Sequence, residues 1–597
     1  MQKKWLEGLH LPANLAAGAI LLLCSARAAD HLQVYNPIVP VAVAVAVFWL
    51  YRKEQKMPLP LRARICSAVY ALLFSLAMIA GKDVQYSGGM RDGPDINYID
   101  WGADSLLSTM ALAVLVYPVV TALFRLIGKM SVPTQAQRSP DKRVFVVMWG
   151  MIFLCWTPYL LTFYPAGIVG DGAHTLKDAM TPGVPAHNHW VVLYILTLRF
   201  FLWLGSLVKS EPHFGVFLYA LAQSLVFSAA CGAVSYKLWK IGAPRWTVWG
   251  CAAMYAISGF FATYGMAVWK DSLFSAGVVY LAIQLWELPR NIGWKPCLKF
   301  ALTALFLCFW RNNGVHVLIL CLLAVLILLR RQAMRILASG MAVVFVTMAI
   351  QGPVYQALHI EKDSISESIS IPLQQLAAVI CSGTELSEKQ QEVLYSILPR
   401  EEWLDKYSPT LSDDLKGNSQ IDRDYLEKHF GDFLKVWAQL LPANFGIYVQ
   451  AYLMQTLGFW QPGVFLGNYH DYWIGIQDVE GFGWHITDWP DVFLGHSFAP
   501  ELRLHTEYIP SGTAVWIMLL AATLLIGQGK SRRRMLVMIP FLASWMVVMV
   551  AVPIAYSYRY ILMVAMGLPI LCLLPFCSEP CGIDTEAIDS LKVPEHE

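Results

Sequence analysis

Charged side chains are scarce here: Asp, Glu, Lys and Arg make up 14% of 597 residues. A water-soluble fold needs a charged surface. This shortage, beside 57% hydrophobic residues and a mean hydropathy of +0.49, excludes a soluble domain and leaves a multi-span membrane protein. The charge that remains nearly cancels, at a net +2, so nucleic acid is excluded as a partner. A disulfide framework is lacking too. Most of the 12 cysteines (Cys24, Cys66, Cys155, Cys231, Cys251, Cys308, Cys321, Cys572) sit inside apolar runs, where a thiol is a small hydrophobe. Cys381 stands alone in a polar region, and the Cys577/Cys581 pair has no companion His or Cys. No fixed-period repeat is present. The opening MQKKWLEGLH resembles the charged start of a signal peptide but lacks a small-residue cleavage site, so it reads as a retained first helix.

Long apolar runs are what the chain has. A bilayer core takes about 20 helical residues. Fourteen windows qualify, near 11–28, 35–51, 64–81, 104–124, 144–164, 214–236, 246–266, 271–288, 298–311, 314–330, 335–352, 511–528, 535–553 and 558–577. Basic clusters orient them: Arg52/Lys53/Lys56/Arg62/Arg64, Arg125/Lys129/Arg138/Lys142/Arg143, Lys237/Lys240/Arg245, Arg290/Lys295/Lys299, Arg330/Arg331/Arg335 and Lys530/Arg532/Arg533/Arg534. All fall on the cytoplasmic side if both termini are inside and one more apolar stretch, 189–208, does not cross. That stretch carries Arg199 in its middle and reads as a helix in the outer interface.

The expected fold is therefore an α-helical polytopic membrane protein with about 14 transmembrane helices. Residues 1–142 form a four-span unit ending in the polar linker GKMSVPTQAQRSPDKR. Residues 143–352 form a membrane core with an outer loop at 165–209. The segment 353–510 is too long for a connection and is expected to fold as a mainly helical outer domain. Within it, LSEKQQEVLYSILPREEWLDKY and DYLEKHFGDFLKVWAQLLPANFGIYVQAYLMQTLGFW read as helices. Residues 511–597 supply the last spans and a cytoplasmic tail.

Ionisable residues at span ends are costly and mark function. FYPAGIVGDGAHTLKDAM sets Asp171 between two glycines, just beyond a span. This acid is a solvated loop residue, a cap for a helix starting at Ala173, or a site carboxylate that deprotonates a hydroxyl or holds a divalent metal. His174 follows it, and His187-Asn188-His189 opens the interfacial helix as punctuation or as ligands. Lys270-Asp271 separates two spans with almost no loop, with Asp271 either the N-cap of the next helix or part of the site. Arg311-Asn312-Asn313 and Tyr558-Arg559-Tyr560 interrupt apolar stretches. Their arginines are snorkelling anchors or a phosphate pocket shielded by tyrosines. Between Phe459 and Trp489 the chain is dense in Trp, Tyr, His and Asp, which suits an interfacial belt or the faces of sugar rings.

Seven patches occur in order: YPAGIVGDGAHT, NHWVVLYILTLRF, AVWKDSLFSAGVVYLAI, RNNGVHVLILCLLAVL, LPREEWLDKYSPTLSDDLK, AYLMQTLGFWQP and SYRYILMVAMGLPIL. With the span order, they resemble the GT-C class of membrane glycosyltransferases, and more closely an uncharacterised bacterial multipass family assigned to that class, over about residues 144–577. Where that family has two adjacent histidines followed by proline, this chain has Asn188-His189-Trp190, so only His189 matches. A DxD pair is also missing, since Asp171 is followed by Gly172-Ala173.

The resemblance implies a GT-C-like core in the bacterial cytoplasmic membrane with its site facing outward. It implies a polyprenyl-phosphate sugar donor, a glycan or lipid acceptor, and contact with membrane lipid. Asp171 and Asp271 would be catalytic, Asp171 as the base. His174, His189, Lys270, Arg311, Asn312, Arg559 and Tyr560 would bind substrate, and inversion at the anomeric carbon would follow. No cofactor is named by these residues, and a divalent metal stays open. The alternatives are a flippase or transporter of lipid-linked glycan, and a glycan ligase or polymerase. Charges at span ends and the absence of repeats weigh against a transporter.

Overall fold

The computed structural model describes residues 2–56, 58–85, 98–130, 138, 141–288, 293–329, 333–361, 364–463, 475–476, 481–504, 508–529, 532–551, 554–555 and 557–577. Most of them are helical, and the one sheet among them is a two-residue antiparallel pair, Val84–Gln85 with Tyr98–Ile99. The chain opens with α1 (Gln2–His31), α2 (Ile38–Lys56), α3 (Leu61–Lys82) and α4 (Ala103–Met130). Then come α5 (Lys142–Thr162), α6 (Asp171–Met180), α7 (Val192–Ser206), α8 (Pro212–Lys240), α9 (Arg245–Ile257), α10 (Gly259–Met266), α11 (Lys270–Glu287), α12 (Trp294–Trp310) and α13 (Gly314–Leu329). Next is α14 (Met334–Ala349), which continues through a π-turn into the short α15 (Tyr355–Ala357). The following segment holds α16 (Ser370–Cys381), α17 (Glu388–Ile397), α18 (Arg400–Lys406), α19 (Asp413–Lys416), α20 (Arg423–Lys428), α21 (Phe430–Leu440) and α22 (Phe445–Gln455). Two short helices, α23 (Trp489–Leu494) and α24 (Ala499–Leu504), precede α25 (Ser511–Gln528), α26 (Arg532–Ala551) and α27 (Leu562–Leu573).

Eight of the described helices are long and apolar enough to cross a membrane: α3, α4, α5, α8, α14 with its extension, α25, α26, and α27 with its flanking turns. The chain is a polytopic helical membrane protein. The other six apolar windows fall on α1, α2, α9 with α10, α11, α12 and α13. The window 246–266, expected as one span, is broken at Ser258, whose extended backbone (ψ 110°) ends α9. α12 and α13 have 17 and 16 residues. The basic residues Arg290, Arg330, Arg331 and Lys530 lie outside the described residues.

α7 has 15 residues, or about 22 Å at 1.5 Å per residue, short of the roughly 30 Å hydrocarbon core. Its Arg199 reaches across to α6, where the guanidinium donates to the carbonyls of Ala179 (3.2 Å), Asp178 (3.1 Å) and Thr181 (2.7 Å). These are the orphan acceptors at the end of α6, so α7 holds α6 in place. α7 in turn lies on α8 where two glycines meet. A Cβ on Gly205 would sit 2.4 Å from the Gly215 Cα, and one on Gly215 would sit 2.7 Å from the Leu202 Cα.

One continuous core runs from α5 to α14 and includes α25 to α27, with Trp156, Phe227, Tyr255, Phe260 and Phe261 fully buried. The first four helices join it through α25. Tyr70 Oη donates to the Trp516 carbonyl at 3.1 Å, and Tyr70 and Phe74 both meet the Trp516 ring edge-on. α1 and α2 pack on α4, and His31 at the end of α1 also meets Asp83 at the end of α3 at 2.7 Å.

Helices α16 to α22 surround a second core that includes Leu376, Leu394, Trp403, Leu426 and Phe433. The two long runs expected as helices here are each interrupted. Pro399 forces Leu398 into an extended backbone and splits α17 from α18, while a turn at 441–444 containing Pro442 separates α21 from α22. This helical body is tied to the membrane core just before α27, where Ala555 N donates to the Thr410 carbonyl at 3.0 Å and Leu411 bridges Ile554.

Gly215→Ala is expected to push α7 off α8, because backbone rather than a flexible side chain occupies the space. An overpacking cost of about 1–3 kcal/mol should lower the thermal unfolding midpoint of the purified protein. Gly250→Ala, where nothing lies within 4 Å, should leave it unchanged.

Candidate functional site

The Gly-Asp-Gly triplet is a helix start. Gly170 caps α6 with φ +50° and ψ −124°, a backbone that side chains oppose, and Asp171 is the first helical residue. Asp171 is thus neither a loop residue nor a cap for a helix starting at Ala173: the turn closes two residues earlier because Gly170 supplies the left-handed bend. Gly172 is required for a different reason. A Cβ there would lie 2.3 Å from the Val268 carbonyl oxygen, so glycine lets α6 press against the segment before α11. That segment is fixed by Val268 N donating to the Gly167 carbonyl (2.8 Å) and Trp269 Nε1 donating to the Val169 carbonyl (3.1 Å). The spatial neighbours Asp171 and Lys270 are the product of these contacts.

Lys270 and Asp271 begin α11. Trp269 is its N-cap, so Asp271 sits inside the first turn rather than at the cap. Its carboxylate is almost wholly buried and pairs with Arg311 at 2.6 Å (Oδ1 to Nη1). Arg311 ends α12 in an extended backbone, and Trp310 Nε1 donates to the Lys270 carbonyl at 2.8 Å, locking the start of α11 to the end of α12. Asn312 exchanges two hydrogen bonds with Asn188: its Nδ2 donates to the Asn188 carbonyl (3.1 Å), and Asn188 Nδ2 donates to its Oδ1 (3.0 Å). The 187–190 loop is thereby fixed, and Val191 completes the turn into α7 at φ +66°, a strained setting for a β-branched residue.

Arg559 joins from the far end of the chain. It lies in the 3₁₀ turn Tyr558–Ile561 that leads into α27, and its Nη1 contacts Asp171 Oδ2 at 2.6 Å. Its Nη2 donates to Tyr560 Oη at 3.0 Å. The Tyr560 ring lies between two guanidinium groups, 4.9 Å from Arg559 Cζ and 5.2 Å from Arg311 Cζ. An aromatic face between like charges eases their approach. Lys270 Nζ lies 5.5 Å over the Trp190 ring and 3.4 Å from the His189 carbonyl. His189 packs edge-on against Trp190 at 4.3 Å, and His174 stacks on the same ring at 6.0 Å.

Asp171, His174, His189, Lys270, Asp271, Arg311, Asn312, Arg559 and Tyr560 all line one cavity of about 1200 Å³. Three further groups come from the helical body around the second core: Glu367, Asp413 and Lys416. Lys416 contacts Glu367, and its Nζ lies 3.0 Å from Asp413 Oδ1. Burial opposes the Lys416 charge, but the two carboxylates outweigh it and raise its pKa. Sequence reasoning missed these three, although Asp413 and Lys416 lie inside the SDDLK end of one of the seven patches. His316 and Asn313 also reach the cavity. On one flank the wall is apolar, built by Ile319 and Leu320 of α13 and Met546, Val547 and Val550 of α26. His187 is absent from the lining and faces Asp178 at 3.8 Å. Of the aromatic outer loop, 464–474 and 477–480 lie outside the described residues.

Burial would raise the Asp171 pKa, yet Arg559, then Lys270, the Arg559 hydrogen bond and His189 overcome it and hold it at about 2. About a third of the side chain, 35%, is still open to the cavity. A divalent metal does not fit the donors. Asp171 is faced by cations, and no group of three or more His, Cys, Asp or Glu able to hold a metal occurs among the described residues.

Residues 180–587 match the model of a family of unknown function, DUF6020, and the chain belongs to that family. The match begins beyond Asp171 and takes in every other cavity residue named here except His174. No curated protein and no solved structure matches the chain.

Asp171 has a depressed folded pKa, so its contribution to stability is complete above the ordinary carboxylate value of about 3.9 and is lost only as pH falls through about 2. Acidification from pH 7 to 5 should therefore leave this pair intact, as checked by the unfolding midpoint across that range. Asp271 gives a separate test. Arg311→Met leaves a buried carboxylate without its partner and should cost about 3–5 kcal/mol of stability. The double variant with Asp271→Asn should recover most of that loss in the same melting assay.

Proposed function

We propose that the chain is a membrane glycosyltransferase. It moves a sugar from a polyprenyl-phosphate donor to a glycan or lipid acceptor on the outer face of a bacterial cytoplasmic membrane. The observation that carries this reading is the composition of the cavity. A partly open carboxylate, three basic side chains of the membrane core and an apolar flank between two helices meet in a space of about 1200 Å³. A lipid-linked sugar phosphate has the complementary parts: a hydroxyl-rich ring, an anion and a long apolar tail. The topology that goes with this reading has fourteen crossings, with α6 and α7 at the outer interface and α16 to α22 covering the site.

In the proposed reaction Asp171 accepts the proton of the acceptor hydroxyl as its oxygen attacks the anomeric carbon. The bond from that carbon to the phosphate oxygen breaks, and its electron pair leaves with polyprenyl phosphate. Arg559, Arg311 and Lys270 neutralise the charge that develops there, in surroundings of low dielectric where such fixed charges act strongly. Direct displacement inverts the anomeric centre. Asp271 is buried and acts by holding Arg311, and His174, His189 and Asn312 shape the wall beside them. The tail of the donor lies along Ile319, Leu320, Val547 and Val550.

Asp171→Asn should lower transfer by about 10²–10⁴-fold while the protein stays folded, measured with radiolabelled polyprenyl-phosphate sugars and purified enzyme. Equal transfer by the variant and the parent would remove Asp171 as the base. Absence of transfer from every donor, with lipid-linked glycan moved across proteoliposomes instead, would replace the transferase with a flippase. Val547→Trp should raise KM for long-chain donors more than for short-chain ones, with kcat little changed.

A further inference from the structure

The Arg559–Asp171 pair poses a problem for the transfer mechanism, on which this inference rests. A carboxylate clamped by a guanidinium at 2.6 Å is a feeble base, and its proton affinity is held down to a pKa of about 2. In that mechanism the same guanidinium, which lines the cavity beside Arg311 and Lys270, also meets the donor phosphate. Asp171 and the phosphate therefore compete for one cation.

Three observations describe that cation. Arg559 is more than nine-tenths buried, and among the described residues its Nε has no hydrogen-bond partner. Its Nη1 serves Asp171 and its Nη2 serves Tyr560, which leaves the Nε–H edge of the fork without a partner among the described residues. The ring of Tyr560, 4.9 Å from Cζ, offers a face along which the guanidinium can turn. A planar guanidinium that holds one carboxylate oxygen through a single nitrogen gains by exchanging it for a phosphate that accepts two parallel hydrogen bonds.

We propose that Arg559 is an exchange latch: in the empty site it neutralises Asp171, and an arriving phosphate draws it away, releasing Asp171 to act as a base only when a donor is bound. Donor binding thus precedes acceptor activation. The charged and titratable groups facing Asp171 are Arg559 and Tyr560 ahead of α27, Lys270 at the start of α11, and His189 and Tyr194 in and before α7. Lys270 stays beside the released carboxylate, which keeps it ionised until the acceptor hydroxyl arrives. After transfer the acceptor proton sits on Asp171 and the C–O electron pair on polyprenyl phosphate. Loss of that proton to water restores the Arg559–Asp171 pair and helps expel the product. Until the phosphate has drawn Arg559 away, the latched base is also kept from activating water against a donor that is only half seated.

The test reads Asp171 directly. The full-length protein in lipid nanodiscs is treated with dicyclohexylcarbodiimide, which modifies protonated carboxyl groups in apolar surroundings, and the adduct at Asp171 is quantified by peptide mass spectrometry at pH 5. Polyprenyl phosphate without sugar is the main probe, inorganic phosphate the second, and binding of tritiated polyprenyl phosphate is measured separately. Polyprenyl phosphate is expected to raise Asp171 labelling about tenfold or more, since losing an adjacent opposite charge shifts a carboxylate by at least about one pH unit. In Arg559→Gln, labelling should be high from the start and gain little from the lipid. If that variant does not fold, Arg559→Lys, which keeps the charge but loses the fork, should show a smaller gain than the parent. Binding of polyprenyl phosphate with labelling unchanged by either probe overturns the latch and leaves the transferase reading standing. No binding at all overturns the transferase reading and the latch with it. A rise with inorganic phosphate but none with polyprenyl phosphate keeps the exchange and overturns the lipid as its ligand.

Discussion

The charge balance of the cavity, centred on the contact between Arg559 and Asp171, is the constraint on which the surrounding arrangement depends. Three cations and two carboxylates from the membrane core meet at the end of an apolar bundle, where an unpaired charge would cost several kcal/mol. Each is met: Arg559 by Asp171, Arg311 by Asp271, and Lys270 by the fields of both acids, the Trp190 face and the His189 carbonyl. Lys416 of the second helical body carries its own carboxylates, Glu367 and Asp413. The core wall is therefore net positive and the roof net negative. A phosphate suits the first and a hydroxyl-rich ring the second.

Much of the scaffold serves to bring these groups together from distant parts of the chain. Asp171 and Arg559 are 388 residues apart. Glycine enables the approach at two points, Gly170 through its left-handed bend and Gly172 through its lack of a Cβ against Val268. Arg199 supports the same arrangement by satisfying the last carbonyls of α6. It was legible in the sequence only as a charge that argued against a crossing, because capping of another helix depends on which carbonyls lie nearby.

Several features were open to sequence reasoning for a clear reason. A charge at the mouth of a span is expensive, so Asp171, Lys270, Asp271, Arg311 and Arg559 stand out against apolar neighbours without any knowledge of the fold. Glu367, Asp413 and Lys416 did not stand out, since they lie among many other acids and bases in the polar segment 353–510 and nothing local separates them from solvated residues. The helix breaks at Ser258 and Leu398 differ in the same way. Pro399 announces the second, whereas the first has no proline and only the weaker signal of Ser258-Gly259.

Hydrophobic composition and the spacing of apolar runs determined by themselves that this chain is a helical, polytopic membrane protein, because backbone groups in lipid must be satisfied within each segment. They also picked out the residues too costly to be there without purpose. Only the tertiary structure decided which acid meets which arginine, that Asp171 starts a helix, and that the second helical body lends Lys416 and its carboxylates to the same cavity. Those pairings join positions hundreds of residues apart, and their geometry is set by packing across helices, which no local pattern encodes.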